Sequence, residues 1–152
     1  MNYTCELKEF TAQPTVYVRT CAAAQDLPAV MEHVFGALAQ YLGMLGESPA
    51  GMPYAAYFNM DMQDLDVEIG FPVSEALPGQ GDIQAGEFPS GKMATCLYIG
   101  PYADMGPAYD ALNAWMQANG YVPTGVAYEM YLNDPRQIPS EEPRTLIVFP
   151  LT

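Results

Sequence analysis

The sequence predicts an α+β fold made of two β-α-β-β units, and three observations lead to that class. Two segments with apolar residues at helical spacing each follow a strand-like segment. Each helical segment is followed by a tyrosine-rich strand, and the two strands are similar in sequence at one fixed offset. The chain has 152 residues, 50% of them hydrophobic, which is enough to form a core without disulfides or metals. We therefore predict duplicated units with pseudo-twofold symmetry, a curved antiparallel sheet, two helices on one face and a concave ligand groove on the other.

The two predicted helices span Asp26–Leu45 and Asp104–Asn119. Each begins with an aspartate that we expect to be the N-cap, and Pro28 and Pro107 lie in the respective first turns. An Asn-Gly pair ends the second helix, as is typical of a helix C-terminus. The apolar stripe of the second helix consists of Ala108, Leu112, Trp115 and Met116.

Strands of similar sequence surround each predicted helix. GMPYAAYFN (Gly51–Asn59) aligns with GVAYEMYLN (Gly125–Asn133) at a constant offset of 74 residues (128 − 54). Farther along, VEIGFPV is echoed by TLIVFPL, and the strands TVYVR and ATCLYIG precede the two helices. One β-α-β-β unit leaves a sheet face uncovered, so we expect the two units to form one domain over residues 1–152. The repeat halves are expected at about 1–77 and 78–152.

A segment rich in glycine and proline, PGQGDIQAGEFPSG (Pro78–Gly91), joins the predicted halves. Its composition favours turns rather than disorder. Within it, we expect Ile83–Phe88 to contribute to the first hairpin of the second half.

The net charge restricts the kinds of partner. Eighteen acidic side chains against five basic ones give a formal net charge of −13. Such a surface repels nucleic-acid phosphates and anionic membranes and attracts cations, although acidity is also a common route to solubility. The sequence contains no recognisable helix-turn-helix, basic cluster, signal peptide or apolar run of membrane length. We therefore expect a cytoplasmic protein with no DNA-binding domain, no direct nucleic-acid partner and no membrane partner.

Metal and cofactor chemistry find little support in the sequence. Cys5, Cys21 and Cys96 lie far apart without metal-ligand spacing, and we expect reduced, buried thiols. His33 is the only histidine and falls within a helical pattern, which argues against a histidine-based catalytic triad or a haem site. We expect no cofactor and no metal.

The strand YEMYLNDP (Tyr128–Pro135) contains one carboxylate, Glu129, among aromatic and apolar residues. Alternation places Glu129 on the same sheet face as Tyr131. The fixed offset aligns Glu129 with Ala55, so the two halves differ at this position. A groove that combines Tyr57, Tyr131 and one carboxylate would accept a flat, apolar, positively charged molecule.

These residues also have purely structural explanations. Glutamates are common on the open face of antiparallel sheets, where Glu129 would form a surface salt bridge of little energetic value. Tyrosine is frequent in strands whatever its role, and Trp115 at helical spacing is expected in the core. The basic partners available to the glutamate are Arg144, Arg136 and Lys92.

From Tyr98 to Leu151 the chain resembles the effector-binding domain of the gyrase-inhibitor-like (GyrI-like) family, which also forms the ligand-sensing part of several multidrug-responsive regulators. The matching motifs occur in the family's order: YIGPY, LNAWMQANGY, YEMYLNDP and PSEEPRTLIVFPL. The first half matches mainly in plan. The resemblance implies the duplicated fold and a site for bulky lipophilic cations between the halves, in which Glu129 meets the positive charge. The sequence departs from the family at Val148, where members often have a tyrosine that faces the ligand.

Three functions remain open at this point. The first, which we favour over an enzyme, is a stand-alone binding protein for lipophilic, cationic, aromatic compounds that senses or sequesters drugs or toxins. The second is a hydrolase of electrophilic cyclopropane-type toxins, with catalytic Glu129 as the base and a cleft tyrosine as its partner. The third is a protein that binds or inhibits gyrase or binds a regulator. The expected ligand-binding residues are Glu129, Tyr131, Tyr57, Tyr17, Tyr98, Trp115 and Val148.

Overall fold

The chain folds into helices and antiparallel strands, and the α+β class is as predicted. The computed structural model describes residues 3–59, 61–101, 104–132 and 143–152. The described residues form two α-helices, α1 (Leu27–Met44) and α2 (Gly106–Ala118), and eight strands. The strands are β1 (Thr4–Phe10), β2 (Gln13–Ala22), β3 (Tyr54–Tyr57), β4 (Leu65–Pro72), β5 (Gln84–Phe88), β6 (Gly91–Ile99), β7 (Ala127–Tyr131) and β8 (Arg144–Pro150).

The chain divides into two compact units, each with the same arrangement of elements. The N-unit is Thr11–Ser90, and the C-unit combines Met1–Phe10 with Gly91–Thr152. The strand order is β5-β2-β4-β3 in the N-unit and β1-β6-β8-β7 in the C-unit. Both units therefore contain the predicted β-α-β-β pattern, with one additional strand beside its first strand.

The two additional strands, β1 and β5, each pair with the unit that lies farther away in the sequence. β1 pairs along its whole length with β6 of the C-unit, while β5 pairs with β2 of the N-unit. The expectation that Ile83–Phe88 contributes to the first hairpin of the second half is therefore wrong. The reason is that β6 already has partners on both sides, β1 and β8. The compact units accordingly differ from the expected halves of about 1–77 and 78–152.

Strand register repeats the offset seen in the sequence. In the C-unit, Glu129 on β7 is opposite Ile147 on β8. In the N-unit, Ala55 on β3 is opposite Ile69 on β4. The alignment of Glu129 with Ala55 is thus confirmed in the fold, and a carboxylate in one unit occupies the place of a methyl group in the other.

Both helices were predicted to within two residues at each end, and Asp26 and Asn119 occupy the expected N-cap of α1 and C-cap of α2. Pro28 and Pro107 lie in the first turns as expected. Asp104 is not the N-cap of α2, because that position belongs to Met105. Asp26 occupies the N-cap of α1 without a capping hydrogen bond. A short 3₁₀ helix at Ala24–Asp26 gives Asp26 a helical backbone, whereas a capping side chain normally requires an extended one.

Each helix covers one face of the sheet in its own unit. In the C-unit, Leu112 of α2 packs with Cys96 of β6 and Ile147 of β8, and all three are fully buried. In the N-unit, Phe35 of α1 contacts Phe71 of β4 with ring centroids 5.3 Å apart. We call these the helix-covered faces. No helix within the described ranges has the length and apolar character needed to span a membrane.

Candidate functional site

Glu129 lies on the helix-covered face of the C-unit, and this differs from the prediction of a groove on the face opposite the helices. Its cross-strand neighbour Ile147 belongs to the core beneath α2, and Tyr109 of α2 donates a hydrogen bond to Glu129 Oε2. Alternation correctly placed Glu129 and Tyr131 on one face of β7. The sequence pattern did not reveal which face the helix covers, because polar residues occur on both.

Two tyrosines hold the Glu129 carboxylate. Tyr131 donates to Oε1 at 2.9 Å, and Tyr109 donates to Oε2. The Tyr109 ring also packs against Phe149, with ring centroids 5.8 Å apart. One aromatic hydroxyl therefore reaches each carboxylate oxygen, from the helix on one side and from the same strand on the other.

The half-buried position of Glu129 disfavours its ionised form. Burial raises the pKa of the Glu129 carboxyl above its usual range, and the hydrogen bonds from Tyr109 and Tyr131 oppose part of that rise. The described residues contain two salt bridges, Lys8–Glu6 and Arg19–Asp66, and neither includes Glu129.

The surface salt bridge considered from the sequence is therefore absent among the residues that the structure describes. Arg144 and Lys92 form no ion pair with Glu129 there. Arg136, the third basic partner considered, lies outside the described residues. A carboxylate without a cationic neighbour in this part of the chain can accept a positively charged ligand.

Tyr98 and Thr145 extend the helix-covered face next to the glutamate. Thr145 is opposite Tyr131 on one side and Tyr98 on the other. Tyr98 is buried and donates a hydrogen bond to the carbonyl of Pro101 at 2.7 Å. The buried hydroxyl of Thr145 has no hydrogen-bond partner among the described residues. Sequence reasoning named Tyr98 but overlooked Thr145.

Val148 and Trp115 do not join the glutamate in this arrangement. Val148 is fully buried, but it faces the opposite side of the sheet because its neighbour Ile147 faces the helix. Trp115 is half-buried at the margin of the C-unit core and packs against Tyr121, with ring centroids 5.5 Å apart. The structural explanation for Trp115 fits this position.

Tyr57 and Tyr17 belong to the N-unit. Tyr57 is half-buried and aligns with Val67 of the helix-covered face, where it takes the place that Tyr131 takes in the C-unit. Tyr17 lies on the other face of its unit and donates to Gln84 Oε1 at 3.2 Å. A ligand role for these two tyrosines stays a prediction.

Tyr109 is the contact that sequence reasoning missed. Its spacing from Leu112 and Met116 is three and seven residues, which places all three on one side of a helix. That spacing was a usable signal, but the apolar stripe inferred from the sequence began at the adjacent Ala108 and left out Tyr109.

A second half-buried carboxylate, Glu68 of β4, lies in the N-unit. Tyr54 donates to Glu68 Oε2 at 2.5 Å, and burial raises the pKa of Glu68 while Tyr54 and Arg19 oppose the rise. Glu68 lies on the face of its sheet opposite α1, since its neighbours Val67 and Ile69 face the core. It resembles Glu129 in its tyrosine partner and differs in the face that it occupies.

A cavity of about 370 Å³ opens elsewhere in the C-unit, beyond the C-terminal end of α2. Lys92, Tyr121 and Leu151 are among its lining residues. Neither Glu129 nor its two tyrosine partners contribute to that lining. This cavity and the Glu129 carboxylate with its tyrosine partners are therefore in different parts of the C-unit.

A duplicated β-α-β-β fold with a tyrosine-bound carboxylate fits the class of small-molecule binding domains. The family model of the GyrI-like small molecule binding domain matches residues 3–152, and the chain belongs to this family. No match was found among curated protein sequences.

Three solved structures show the same fold. EcmrR in its complex with DNA is 23% identical with a TM-score of 0.86, over 98% of this chain and 57% of that one. A hydrolase from Listeria innocua is 12% identical with a TM-score of 0.70, over 97% and 91%. SAV2435 bound to tetraphenylphosphonium is 10% identical with a TM-score of 0.70, over 100% and 94%. This chain thus spans little more than half of EcmrR, and at these identities the likeness establishes the fold alone.

Proposed function

We propose that this protein binds bulky lipophilic cations through Glu129 and serves to sense or sequester drug-like or toxic compounds. The observation that carries the proposal is the half-buried carboxylate of Glu129, bonded by two tyrosine hydroxyls and unpaired with any cation among the described residues. The tetraphenylphosphonium bound to the similar structure SAV2435 supports a ligand of this class.

Desolvation explains why the ligand would be lipophilic as well as cationic. An ionised carboxylate away from water is unfavourable until a positive charge approaches it. A compact ammonium ion would lose strong hydration on entering such a site. A cation whose charge is spread over aromatic groups loses less hydration and gains contact with the rings of Tyr109, Tyr131 and Phe149.

Calorimetric titration of Glu129→Gln tests the proposal. The substitution keeps the size and hydrogen-bonding capacity of the side chain but removes its charge. We expect tetraphenylphosphonium to bind about ten- to a hundredfold more weakly, since hydrogen bonds and contacts to a charged group are worth roughly 1.5–3 kcal/mol. The neutral triphenylphosphine oxide should lose much less affinity.

Glu68→Gln is the matched control, because it neutralises another half-buried, tyrosine-bonded carboxylate and changes the net charge by the same amount. We expect it to bind tetraphenylphosphonium as the wild type does. Equal losses for the cation and the neutral compound in Glu129→Gln, or equal losses in both variants, would contradict the assignment of Glu129 as the cation-binding group.

A hydrolase is the second candidate, and the Glu129–Tyr109 contact is the observation that favours it. A carboxylate with a raised pKa can take a proton from water, while a tyrosine hydroxyl next to it orients or protonates the substrate. Mass spectrometry of an electrophilic cyclopropane incubated with the protein tests this. Addition of one water by the wild type, and none by Glu129→Gln, is expected for a hydrolase. Interaction with gyrase rests on the family resemblance alone and stays a prediction.

A further inference from the structure

Two cysteines that are far apart in the sequence face each other across neighbouring strands of the C-unit. Cys5 on β1 is directly opposite Cys96 on β6. Cys96 is fully buried in the core beneath α2, and the half-buried Cys5 packs against the same core. Burial, followed by the neighbouring Cys5 thiol, raises the pKa of Cys96 to about 12.

The geometry of an antiparallel pair is close to that of a disulfide. Residues directly opposite each other have Cβ atoms about 4.5–5.5 Å apart. A disulfide needs Cβ atoms at about 3.5–4.5 Å, with Cα atoms at about 4.4–6.8 Å. A small approach of β1 to β6 would therefore suffice, and both side chains already point to the same face of the sheet.

We propose that Cys5 and Cys96 form a reversible disulfide when a peroxide oxidises the protein. This disulfide would link β1 covalently to β6. The bond is a modification site in the C-unit and does not depend on the proposed ligand. It would close a loop that contains the whole N-unit, because Thr11–Ser90 lies between the two cysteines in sequence.

The chemistry requires one peroxide and two thiols. The sulfur of Cys5 attacks one peroxide oxygen, the O–O bond breaks, and Cys5 becomes a sulfenic acid while one water leaves. The sulfur of Cys96 then attacks the sulfur of Cys5, the S–S bond forms, and the S–O bond breaks. The leaving oxygen takes the Cys96 proton and departs as the second water. The peroxide gains the two electrons that the thiols lose, and a dithiol such as dithiothreitol returns both thiols.

Differences in exposure assign the order of these steps. Cys5 is half-buried and accessible to a small oxidant, so it reacts first. Cys96 is fully buried opposite Cys5, so it reacts second, with the oxidised Cys5. The third cysteine, Cys21, is exposed on β2 of the N-unit, where it is opposite Asp66. An exposed thiol of this kind can react with other molecules, so it must be removed before the pair is tested.

The test uses the 152-residue chain with Cys21→Ser, treated with one equivalent of hydrogen peroxide. We expect both remaining thiols to disappear from a titration in denaturant and the mass to fall by about 2 Da, as loss of two hydrogens requires. A protease digest should contain a Cys5–Cys96 linked peptide in a monomer, and dithiothreitol should restore both thiols. The oxidised form should melt roughly 5 °C or more above the reduced form, since the link closes a long loop.

The double variant Cys5→Ser/Cys21→Ser is the matched control, with Cys5→Ala in the same background if serine impairs folding. It should keep one thiol, show no such mass loss and no oxidant-dependent rise in melting temperature. Unchanged thiols in Cys21→Ser would overturn the proposal. Disulfide-linked dimers, or Cys5 oxidised to a stable sulfinic acid with Cys96 still free, would overturn it as well.

Discussion

At the scale of single residues, the state of Glu129 is set by opposing effects. Burial favours the neutral acid, while the hydroxyls of Tyr109 and Tyr131 favour the carboxylate. At the aligned position of the N-unit, Ala55 is fully buried and carries no such conflict. A carboxylate at this position is therefore found in the C-unit and not at the aligned position of the N-unit. Substituting Tyr109 or Tyr131 singly should change the pKa of Glu129.

The first residue-scale prediction concerns Tyr109. Tyr109→Phe removes the hydroxyl that donates to Glu129 but keeps a ring that can pack against Phe149. We expect the pKa of Glu129 to rise further above its usual range, because one hydrogen bond to the ionised form is lost. Carboxyl carbon shifts in an NMR pH titration measure this. Tyr121→Phe, on the ring that packs against Trp115, should leave the titration unchanged. A lower pKa in Tyr109→Phe would contradict the contact.

The second residue-scale prediction concerns how the free energy of unfolding depends on pH through Glu129. Because the folded pKa of Glu129 is raised, the folded state binds more protons than the unfolded state between the two pKa values. The contribution of Glu129 to stability is therefore greatest below the unfolded pKa of about 4.3 and falls as pH rises through the folded pKa. Glu129→Gln lacks this loss, so its stability relative to wild type should increase with pH in that window. Urea unfolding at several pH values measures the difference, and a relative stability that decreases with pH would contradict the burial of the charge.

At the scale of elements, the sequence predicts what is local and misses what is long-range. The 3.6-residue pattern located α1 and α2, and the two-residue alternation correctly grouped Glu129 with Tyr131. The partner of β1 was beyond such patterns, because Cys5 and Cys96 are brought together only by the fold. Local patterns also could not show which face of β7 is covered, because that is decided by where α2 packs on the sheet. Strand alternation and the alignment with Ala55 drew attention to Glu129, and the resemblance to the GyrI-like family implied that this glutamate meets the positive charge of a ligand.

Glycines provide an element-scale prediction. A Cβ on Gly70 of β4 would lie 2.6 Å from the carbonyl oxygen of Val16, a backbone atom that cannot easily move. At Gly36, in the exposed middle of α1, a new Cβ would have no atom within 4 Å apart from the adjacent residues and the backbone of its own helix. We expect Gly70→Ala to destabilise the protein by about 2 kcal/mol or more and Gly36→Ala to stabilise it by about 0.5–1 kcal/mol.

Chemical denaturation of both variants gives the two free energies. The pair is informative because the substitution is identical and the surroundings differ. A Gly70→Ala variant as stable as wild type would mean that β2 and β4 are not packed as closely as described.

At the scale of the whole molecule, the net charge of −13 predicts repulsion between this chain and the phosphates of nucleic acids. The fold is shared with part of EcmrR, which was solved in complex with DNA. We expect no measurable binding of this chain to duplex DNA at physiological salt, because no basic cluster is present to release phosphate counterions. A mobility-shift assay checks this, and sub-micromolar binding that weakens with salt would contradict it.

β1 pairs with the C-unit although it precedes the N-unit in sequence, and this affects how the chain folds during synthesis. The N-unit is continuous in sequence, so all of its strands can pair once residue 90 has left the ribosome. β1 precedes the N-unit in sequence, whereas its partner β6 is translated only after the N-unit is complete. During that interval the backbone N–H and C=O groups of β1 have no strand partner, and such a strand is prone to aggregate. Its alternating charges, Glu6 and Lys8 with the adjacent Glu9, are exposed in the folded chain and would keep the waiting strand in solution.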